Sequence, residues 1–139
     1  MRLRKKGGFL DTNVLLRFLL DDDSAQSPLA YSFFKQLEDG AVSAELEDVV
    51  LAETVWVLEK GYRVPRNEIS RLLSSIVRLK GVICRGKRNV LGALSQFCST
   101  PCDIVDCLLA AKARSKGAPV ISFDADFKKL RCEWTPPSS

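Results

Sequence analysis

The stretch Phe9-Leu10-Asp11-Thr12-Asn13-Val14-Leu15-Leu16 decides how the rest of the chain is arranged. It has the pattern of a short apolar strand, a carboxylate at the end of that strand, two capping-type residues and then a helix. In an open parallel α/β sheet, ligands bind in the crevice at the carboxyl ends of the strands. The pattern therefore predicts that Asp11 faces such a crevice, with capping of the following helix as the alternative role.

Length and composition predict one domain over residues 1–139. The chain has 139 residues, of which 46% are hydrophobic, which supports a packed core. No linker, repeat or low-complexity block divides it. We expect a basic arm over residues 1–7 and a flexible tail over residues 136–139. The formal net charge of +4 permits a nucleic-acid partner without requiring one.

Histidine is absent from the sequence. Its absence excludes the Ser-His-Asp and Cys-His classes of enzyme and removes the commonest transition-metal ligand. Catalysis would have to use carboxylates, lysine, cysteine or a metal-bound water. The five cysteines lack the two-residue gap of a zinc or redox motif and are odd in number, so we expect buried, reduced thiols. With no signal-peptide pattern and no membrane-spanning apolar run, we expect a soluble, cytoplasmic protein that contacts no membrane.

Short apolar strands alternate with amphipathic helices along the chain. We predict strands over residues 8–10, 41–44, 82–84, 120–122 and 132–135. We predict helices over residues 14–20, 47–60, 88–97 and 103–116, one from a Ser24 or Ser27 cap to Asp39, one from Pro65 or Asn67 to Leu79, and a single turn near 127–129. This alternation predicts an α/β fold with right-handed crossovers, in which helices flank a short central parallel sheet of four to five strands.

Four acidic residues are predicted to meet at one edge of this sheet. Asp11 and Asp124 each follow a predicted strand immediately, and parallel strands share a carboxyl edge. Asp106 lies in the first turn of the helix that leads to the strand before Asp124, so that its helix turn is expected on the same side. Glu53, in the second turn of its own helix, can reach the edge by the same reasoning.

Clustered carboxylates of this kind predict a metal site. Carboxylates a few ångströms apart in a cleft cannot all stay ionised unless a proton or a cation joins them, and hard oxygen ligands select Mg²⁺ or Mn²⁺. Each acid taken alone has a plainer interpretation. Glu53 could be an exposed helix residue, and Asp103 and Asp126 could be helix caps. The triplet Asp21-Asp22-Asp23 is better interpreted as a solvated loop than as a metal site.

Four segments carry a resemblance to a known family: FLDTNVLLRFL (residues 9–19), DVVLAETVWVL (48–58), DIVDCLLAA (103–111) and VISFDADF (120–127). In this order and spacing the chain resembles the PIN-domain family, and in particular the VapC-type toxin ribonucleases. The resemblance implies a three-layer fold and Mg²⁺- or Mn²⁺-dependent cleavage of RNA by an acidic cluster. It matches Asp11, Glu53 and Asp106 to the three most characteristic acids, and Asp124 to a fourth, more variable one.

The resemblance also implies accessory residues and partners. Thr12 and Asn13 match a polar pair that steadies a ligand or water, and Asp103 and Asp126 match accessory acids. Relatives of this type often form homodimers and are inhibited by a small cognate antitoxin protein. The implied function is that of an endoribonuclease toxin of a toxin–antitoxin pair.

Two alternatives to the ribonuclease hypothesis remain. One is a catalytically silent PIN-fold interaction module, against which the complete acid set argues. The other is a structure-specific DNA nuclease, for which the chain lacks a long insertion. Under the ribonuclease hypothesis basic residues would hold the RNA, although each of them taken singly is better interpreted as a solvated surface residue. The candidates are Arg17, Arg78, Lys80, Arg85, Lys87, Arg88, Lys112, Lys128 and Lys129.

Overall fold

The computed structural model describes residues 7–138. Its strands are β1 (Gly8–Phe9), β2 (Ala44–Glu45), β3 (Val82–Ile83), β4 (Val120–Ile121) and β5 (Trp134–Thr135). Its α-helices are α1 (Thr12–Leu20), α2 (Gln26–Asp39), α3 (Asp48–Trp56), α4 (Arg66–Val77), α5 (Lys87–Ser99) and α6 (Ile104–Lys116). Helix α3 continues into a π-helical turn (Val57–Gly61), and a 3₁₀ helix (Ala125–Leu130) follows β4. The predicted basic arm lies outside the described residues except for Gly7, as does Ser139 of the predicted tail.

All five strands pair in parallel, as predicted, but they do not form one sheet. Within residues 7–138 the order β1-β2-β3 makes a three-stranded sheet, and β4 pairs with β5 in a separate two-stranded sheet. The predicted sheet of four to five strands is therefore wrong in strand number. Strands of two residues form few main-chain hydrogen bonds, and β4 packs against α6 as well as pairing with β5. The predicted α/β fold is otherwise confirmed.

Two glycines allow neighbouring segments of the chain to approach closely at the start of the three-stranded sheet. A Cβ atom on Gly7 would collide with the carbonyl oxygen of Ser43, and one on Gly81 would collide with that of Val42. The Gly81 amide also donates a 2.8 Å hydrogen bond to the carbonyl oxygen of Leu37, at the end of α2. The chain before β1 and the chain before β3 are thus both pressed against the segment that leads into β2.

The core lies among the helices. Helix α5 packs against α4 and α6, and α3 packs against α1 and α6. The largest fully buried side chains include Phe34, Phe97, Leu15, Leu37 and Leu73, which come from the apolar faces of α1, α2, α4 and α5. Burial of such side chains is the main favourable term in folding. This core fixes the position of the helix ends that carry the acids.

Some helix ends follow the local signals of the sequence, and others do not. Gly40 and Gly117 end α2 and α6 in the left-handed conformation, with φ of 75° and 63°. The predicted capping of α2 by Ser24 or Ser27 is wrong. Asp23 accepts hydrogen bonds from the Ala25 and Gln26 amides instead, at 3.0 and 2.6 Å, so one acid of the triplet has a structural role.

No helix within residues 7–138 is long and apolar enough to cross a bilayer.

Candidate active site

Asp11 stands at the carboxyl end of β1 and at the N-cap position of α1. Its main-chain oxygen accepts hydrogen bonds from the Val14 and Leu15 amides, but its side chain accepts none from the first turn of the helix. The carboxylate is exposed. The alternative role of Asp11 as a side-chain cap is therefore wrong, and its oxygens are available for another partner.

A mainly apolar hollow of about 500 Å³ opens beside Asp11, between β1, α1 and α2. Phe9, Leu29 and Phe33 contribute to its lining, and Asn13 lies at its border with Asp11. Thr12, by contrast, is only 5% exposed. Of the two residues that follow Asp11, Asn13 alone can reach a molecule in this hollow.

A second group of acids surrounds Asp106 in the first turn of α6. The carboxylate of Asp103 caps the helix by accepting a 3.0 Å hydrogen bond from the Asp106 amide, as the capping interpretation predicts. Partial burial raises the pKa of Asp106, and the negative charges of Asp103, Asp124 and Asp126 raise it further. These four acids have thus been brought together, and their repulsion is felt at Asp106.

Asp124 holds the segment after β4 in place. Its Oδ1 accepts a 2.8 Å hydrogen bond from the Asp126 amide, which caps the 3₁₀ helix. The Asp124 amide in turn donates to Ser122 Oγ at 3.0 Å. The Asp126 carboxylate lies 3.3 Å from Lys129 Nζ on the surface. The predicted cap of this turn is therefore provided by Asp124 and not by Asp126.

Glu53 is an exposed residue of α3, as its plainer interpretation has it. It lines a hollow of about 460 Å³ that α3 shares with the start of α6. Asp103 lines the same hollow, together with Trp56 and Arg66. The structure therefore places Glu53 beside the amino end of the helix that carries Asp106.

Of the four acids predicted to meet, not all act on Asp106. Asp11 and Glu53 are not among the charges that raise the pKa of Asp106. Within residues 7–138 no group of three or more acidic or cysteine side chains is already arranged to hold a metal ion. The donor set nevertheless fits a hard divalent cation in its chemistry, because it consists of carboxylate oxygens and because a cation would relieve the repulsion at Asp106.

Similarity to known proteins identifies the family of this chain. The family model described as "PIN domain" matches residues 8–131. This chain belongs to the PIN-domain family. It is similar to the VapC ribonuclease of Aquifex aeolicus (strain VF5), with 30% identity over 122 residues, which cover 87% of this chain and 90% of that protein. The family resemblance of the four segments is thereby confirmed.

The basic residues of this PIN domain differ in how far they are already engaged. Arg17 donates to Asp22 and Gln26, both at 3.0 Å, and Lys112 pairs with Asp48. Lys128 stands over the Trp134 ring, 5.3 Å from its centroid. The exposed candidates Arg78 and Lys80 precede β3, whereas Arg85, Lys87 and Arg88 follow it in one short stretch, here called the basic cluster. This cluster is the better candidate for an external anion than Arg17 or Lys112.

The five cysteines of the PIN domain are all free thiols. Cys102 and Cys107 are buried, as expected, whereas Cys84 and Cys132 are half-buried and Cys98 is exposed. The prediction of buried thiols therefore holds only in part. Burial, together with a smaller contribution from the nearby Cys102, raises the pKa of Cys107 to about 12. Such a thiol stays protonated and unreactive at neutral pH, so Cys107 is a packing residue.

Sequence reasoning missed one contributor to this site, the ion pair between Arg66 and Glu59. Arg66 Nη1 lies 2.9 Å from Glu59 Oε2, and both residues line the hollow that contains Glu53 and Asp103. A basic residue after Pro65 gives no local signal of such a role. Only the contacts of Arg66 with residues more than thirty positions away distinguish it from other surface arginines.

Proposed function

We propose that this protein is a metal-dependent endoribonuclease that cleaves phosphodiester bonds of RNA, and that it acts as the toxin of a toxin–antitoxin pair. The observation that carries the proposal is the gathering of Asp103, Asp124 and Asp126 around the partly buried Asp106. An acid cluster that raises the pKa of its own member is an arrangement suited to a cation. The similarity to a VapC ribonuclease supports RNA as the substrate.

The metal would be Mg²⁺ or Mn²⁺, held by Asp11, Glu53, Asp106 and Asp124. When bound, such an ion neutralises phosphate oxygens and lowers the pKa of a coordinated water. Because Asp11 spends no side-chain hydrogen bond on α1, its carboxylate can turn towards an ion without loss of helix capping. Glu53 is exposed and equally free to change rotamer.

The accessory residues have different tasks in this proposal. Asp103 holds the turn that bears Asp106, and the proposed ligand Asp124 holds the segment of the accessory Asp126, both through capping hydrogen bonds. Asn13 lies beside Asp11 and can orient a water or a phosphate oxygen, whereas the buried Thr12 supports the start of α1. The protein thus contributes mainly by holding the carboxylates in one geometry.

RNA would be held by the exposed basic cluster. Arg85, whose side chain is 89% exposed and lies 4.0 Å from Glu45, and its neighbours Lys87 and Arg88 can follow a phosphate backbone without breaking a close ion pair. Because RNA is the proposed substrate, we place the activity in the cytoplasm.

A homodimer is proposed from an exposed apolar face shared by two helices. Val49 and Trp56 of α3 and Val105 and Leu109 of α6 are all exposed, and three of them border one shallow hollow. Apolar side chains adjacent on two packed helices are typical of an interface.

The antitoxin is assigned to the hollow beside Asp11, where an apolar segment would lie across the approach to that carboxylate. A silent module would also use such surfaces, and this is the second candidate function.

The deciding experiment is cleavage of single-stranded RNA by wild-type protein and by an Asp11→Asn variant, with Mn²⁺ present. We expect wild-type cleavage to be abolished by EDTA and reduced at least about 100-fold in the variant. Asp21→Asn serves as control, since Asp21 is exposed, ends α1 in a left-handed conformation that asparagine also adopts, and belongs to no proposed ligand set. A silent module would cut in none of these cases.

Thermal stability gives a second, independent test of the metal. A cation that binds only the folded state raises Tm by mass action, and at 100 times its Kd it adds about 2.7 kcal/mol to stability. We therefore expect Mn²⁺ to raise the Tm of the wild type but not that of Asp106→Asn. Equal Tm values with and without Mn²⁺ in the wild type would count against the metal site.

A further inference from the structure

The side chain of Arg66, the first residue of α4, is turned towards the loop between α5 and α6. Its Nε donates a 2.9 Å hydrogen bond to the carbonyl oxygen of Phe97, and its Nη2 donates to the carbonyl oxygens of Thr100, at 3.1 Å, and Cys102. The guanidinium carbon also lies 3.7 Å from the centroid of the buried Phe97 ring. The carbonyls at a helix end have no intrahelical partner, so this arginine provides the partner that the end of α5 lacks.

The remaining donor of Arg66 reaches a different element. Its Nη1 donates to Glu59 Oε2 at 2.9 Å, and Glu59 belongs to the π-helical turn that extends α3. The two side chains are 26% and 20% exposed, so this pair is better shielded from solvent than the other arginine pairs of the surface. One guanidinium group therefore connects the end of α3 to the α5–α6 loop.

This loop leads directly to the acids. Its last residue before α6 is Asp103, whose carboxylate caps the turn that carries Asp106. Cys102, an acceptor of Arg66 through its carbonyl, also places its Sγ 3.9 Å from the carbonyl oxygen of Asp126. On the other side, α3 carries Glu53, which lines the same hollow as Arg66 and Asp103.

We propose that Arg66 is a positioning residue for the acid cluster: it locks the first turn of α6 against the end of α3 and so sets the spacing of Glu53 relative to Asp103 and Asp106. This inference rests on the proposed function, because the spacing matters only if the acids share a cation. The planar guanidinium, with donors in a fixed fork, can reach three carbonyls and a carboxylate at once. A lysine keeps the charge but has a single nitrogen, which cannot reach all four of these acceptors at once.

The test compares Arg66→Lys with wild-type protein. We expect kcat on single-stranded RNA to fall about 10- to 100-fold and the Kd for Mn²⁺, measured by calorimetry, to rise about 10-fold or more, as for other residues that orient ligands. The Kd for RNA in EDTA should stay within about twofold, since binding of the strand is assigned to other residues. Hydrogen exchange at the Asp106 amide should become faster, because the capped turn loses its anchor.

Arg71→Lys is the matched control. Arg71 lies on the same helix and pairs with the exposed Glu68 three residues before it. This variant should match wild type in kcat, Mn²⁺ Kd and Asp106 exchange. A general effect of replacing arginine on α4 would appear in both variants, whereas the positioning role predicts an effect in Arg66→Lys alone.

Each outcome decides the inference. A folded Arg66→Lys variant with wild-type kcat and wild-type Mn²⁺ Kd would overturn it. If Arg66→Lys does not fold, Glu59→Gln takes its place, since that change weakens the ion pair and leaves the carbonyl contacts of Arg66 intact; unchanged Mn²⁺ Kd there would overturn the inference. If wild-type protein neither cuts RNA nor binds Mn²⁺, the proposed function fails, and unchanged Asp106 exchange in Arg66→Lys would then separately overturn the positioning role.

Discussion

The carboxylate of Asp103 accepts a 3.0 Å hydrogen bond from the main-chain amide of Asp106, so that one acid of the cluster holds the helix turn that carries another. This relationship couples the stability of α6 to the geometry of the proposed site. Asp103 has two properties that substitutions can distinguish, its capacity to accept a hydrogen bond and its charge. Asparagine retains the first and loses the second, whereas alanine loses both.

We predict that Asp103→Ala lowers the free energy of unfolding by about 1 kcal/mol, the usual cost of removing a capping side chain, and that Asp103→Asn lowers it much less. Urea unfolding followed by circular dichroism measures both. Asp11→Ala is the control, because Asp11 occupies the same position in α1 without a side-chain capping bond. That variant should stay within about 0.5 kcal/mol of wild type. Equal losses in all three variants would contradict the capping role.

Asp106→Asn should stabilise the metal-free protein while abolishing cleavage. Burial and three neighbouring acids raise the pKa of Asp106 in the folded state, so the folded protein binds its proton more tightly than the unfolded chain does. The stability that comes from the protonated form is complete below the unfolded pKa and is lost as pH rises through the folded pKa. At neutral pH the ionised Asp106 therefore destabilises the folded state, and asparagine removes this destabilisation.

The measurement is Tm in EDTA as a function of pH. We expect the variant to exceed wild type by on the order of 2 °C at pH 7 and the difference to vanish as pH falls below the ordinary range of an aspartate pKa. Glu133→Gln, at an exposed loop position, should show no such pattern. A variant less stable than wild type at pH 7 would contradict a net destabilisation of the folded state by the ionised Asp106.

Loss of the basic cluster should weaken RNA binding without harming the fold. Lys87 and Arg88 lie in the first turn of α5, where the positive end of the helix dipole disfavours cations. Their replacement by alanine should leave Tm unchanged or slightly raised. The affinity for single-stranded RNA should fall, and the slope of log K against log salt should shrink by about 0.7 for each phosphate that the variant no longer neutralises.

A charge-matched control for this double variant is Lys35→Ala with Arg71→Ala. Both residues are exposed and paired with neighbouring glutamates on α2 and α4, away from the α5 start. The control has the same net charge, and so a purely electrostatic attraction of RNA to the whole protein would weaken both double variants equally. Only a local track predicts a larger loss when Lys87 and Arg88 are replaced.

Leu109→Arg should convert the proposed homodimer into a monomer. Leu109 lies on the apolar face of α3 and α6, and burial of an unpaired guanidinium in an interface is strongly unfavourable. Sedimentation at micromolar concentration gives the oligomeric state. Leu29→Arg is the control, because Leu29 is 73% exposed but lines the hollow beside Asp11 instead. A monomeric wild type, or a Leu109→Arg variant that stays dimeric, would contradict this assignment.

The helices could be predicted from the sequence to within a few residues, because their ends are marked by local chemistry. Gly40 and Gly117 adopt left-handed conformations that favour glycine, and Asp103 caps α6 as its spacing predicts. The split of the strands into two sheets could not be predicted. Pairing between strands is non-local, and an apolar run of two or three residues carries no information about its neighbour.

The site divides in the same way. Of the four acids predicted to meet, Asp124 acts on Asp106, whereas Asp11 and Glu53 do not. The charges of Asp103 and Asp126, predicted as accessory acids, also act on Asp106. The role of Arg66 could not be foreseen, because its acceptors are 31 to 36 positions away and are main-chain carbonyls. Every residue type has a main-chain carbonyl, and so no sequence pattern indicates which of them an arginine will bind.

The acids of the proposed site are distributed over two sheets. Asp11 follows β1 of the three-stranded sheet and Asp124 follows β4 of the two-stranded one, and no strand ladder joins the two in the part of the chain that the structure describes. The spacing of these carboxylates is therefore set by side-chain packing, including that of α6 against β4, and not by main-chain hydrogen bonds between strands. If the two carboxylates share an ion as proposed, substitutions in the core between α6 and β4 would therefore alter the distance between them.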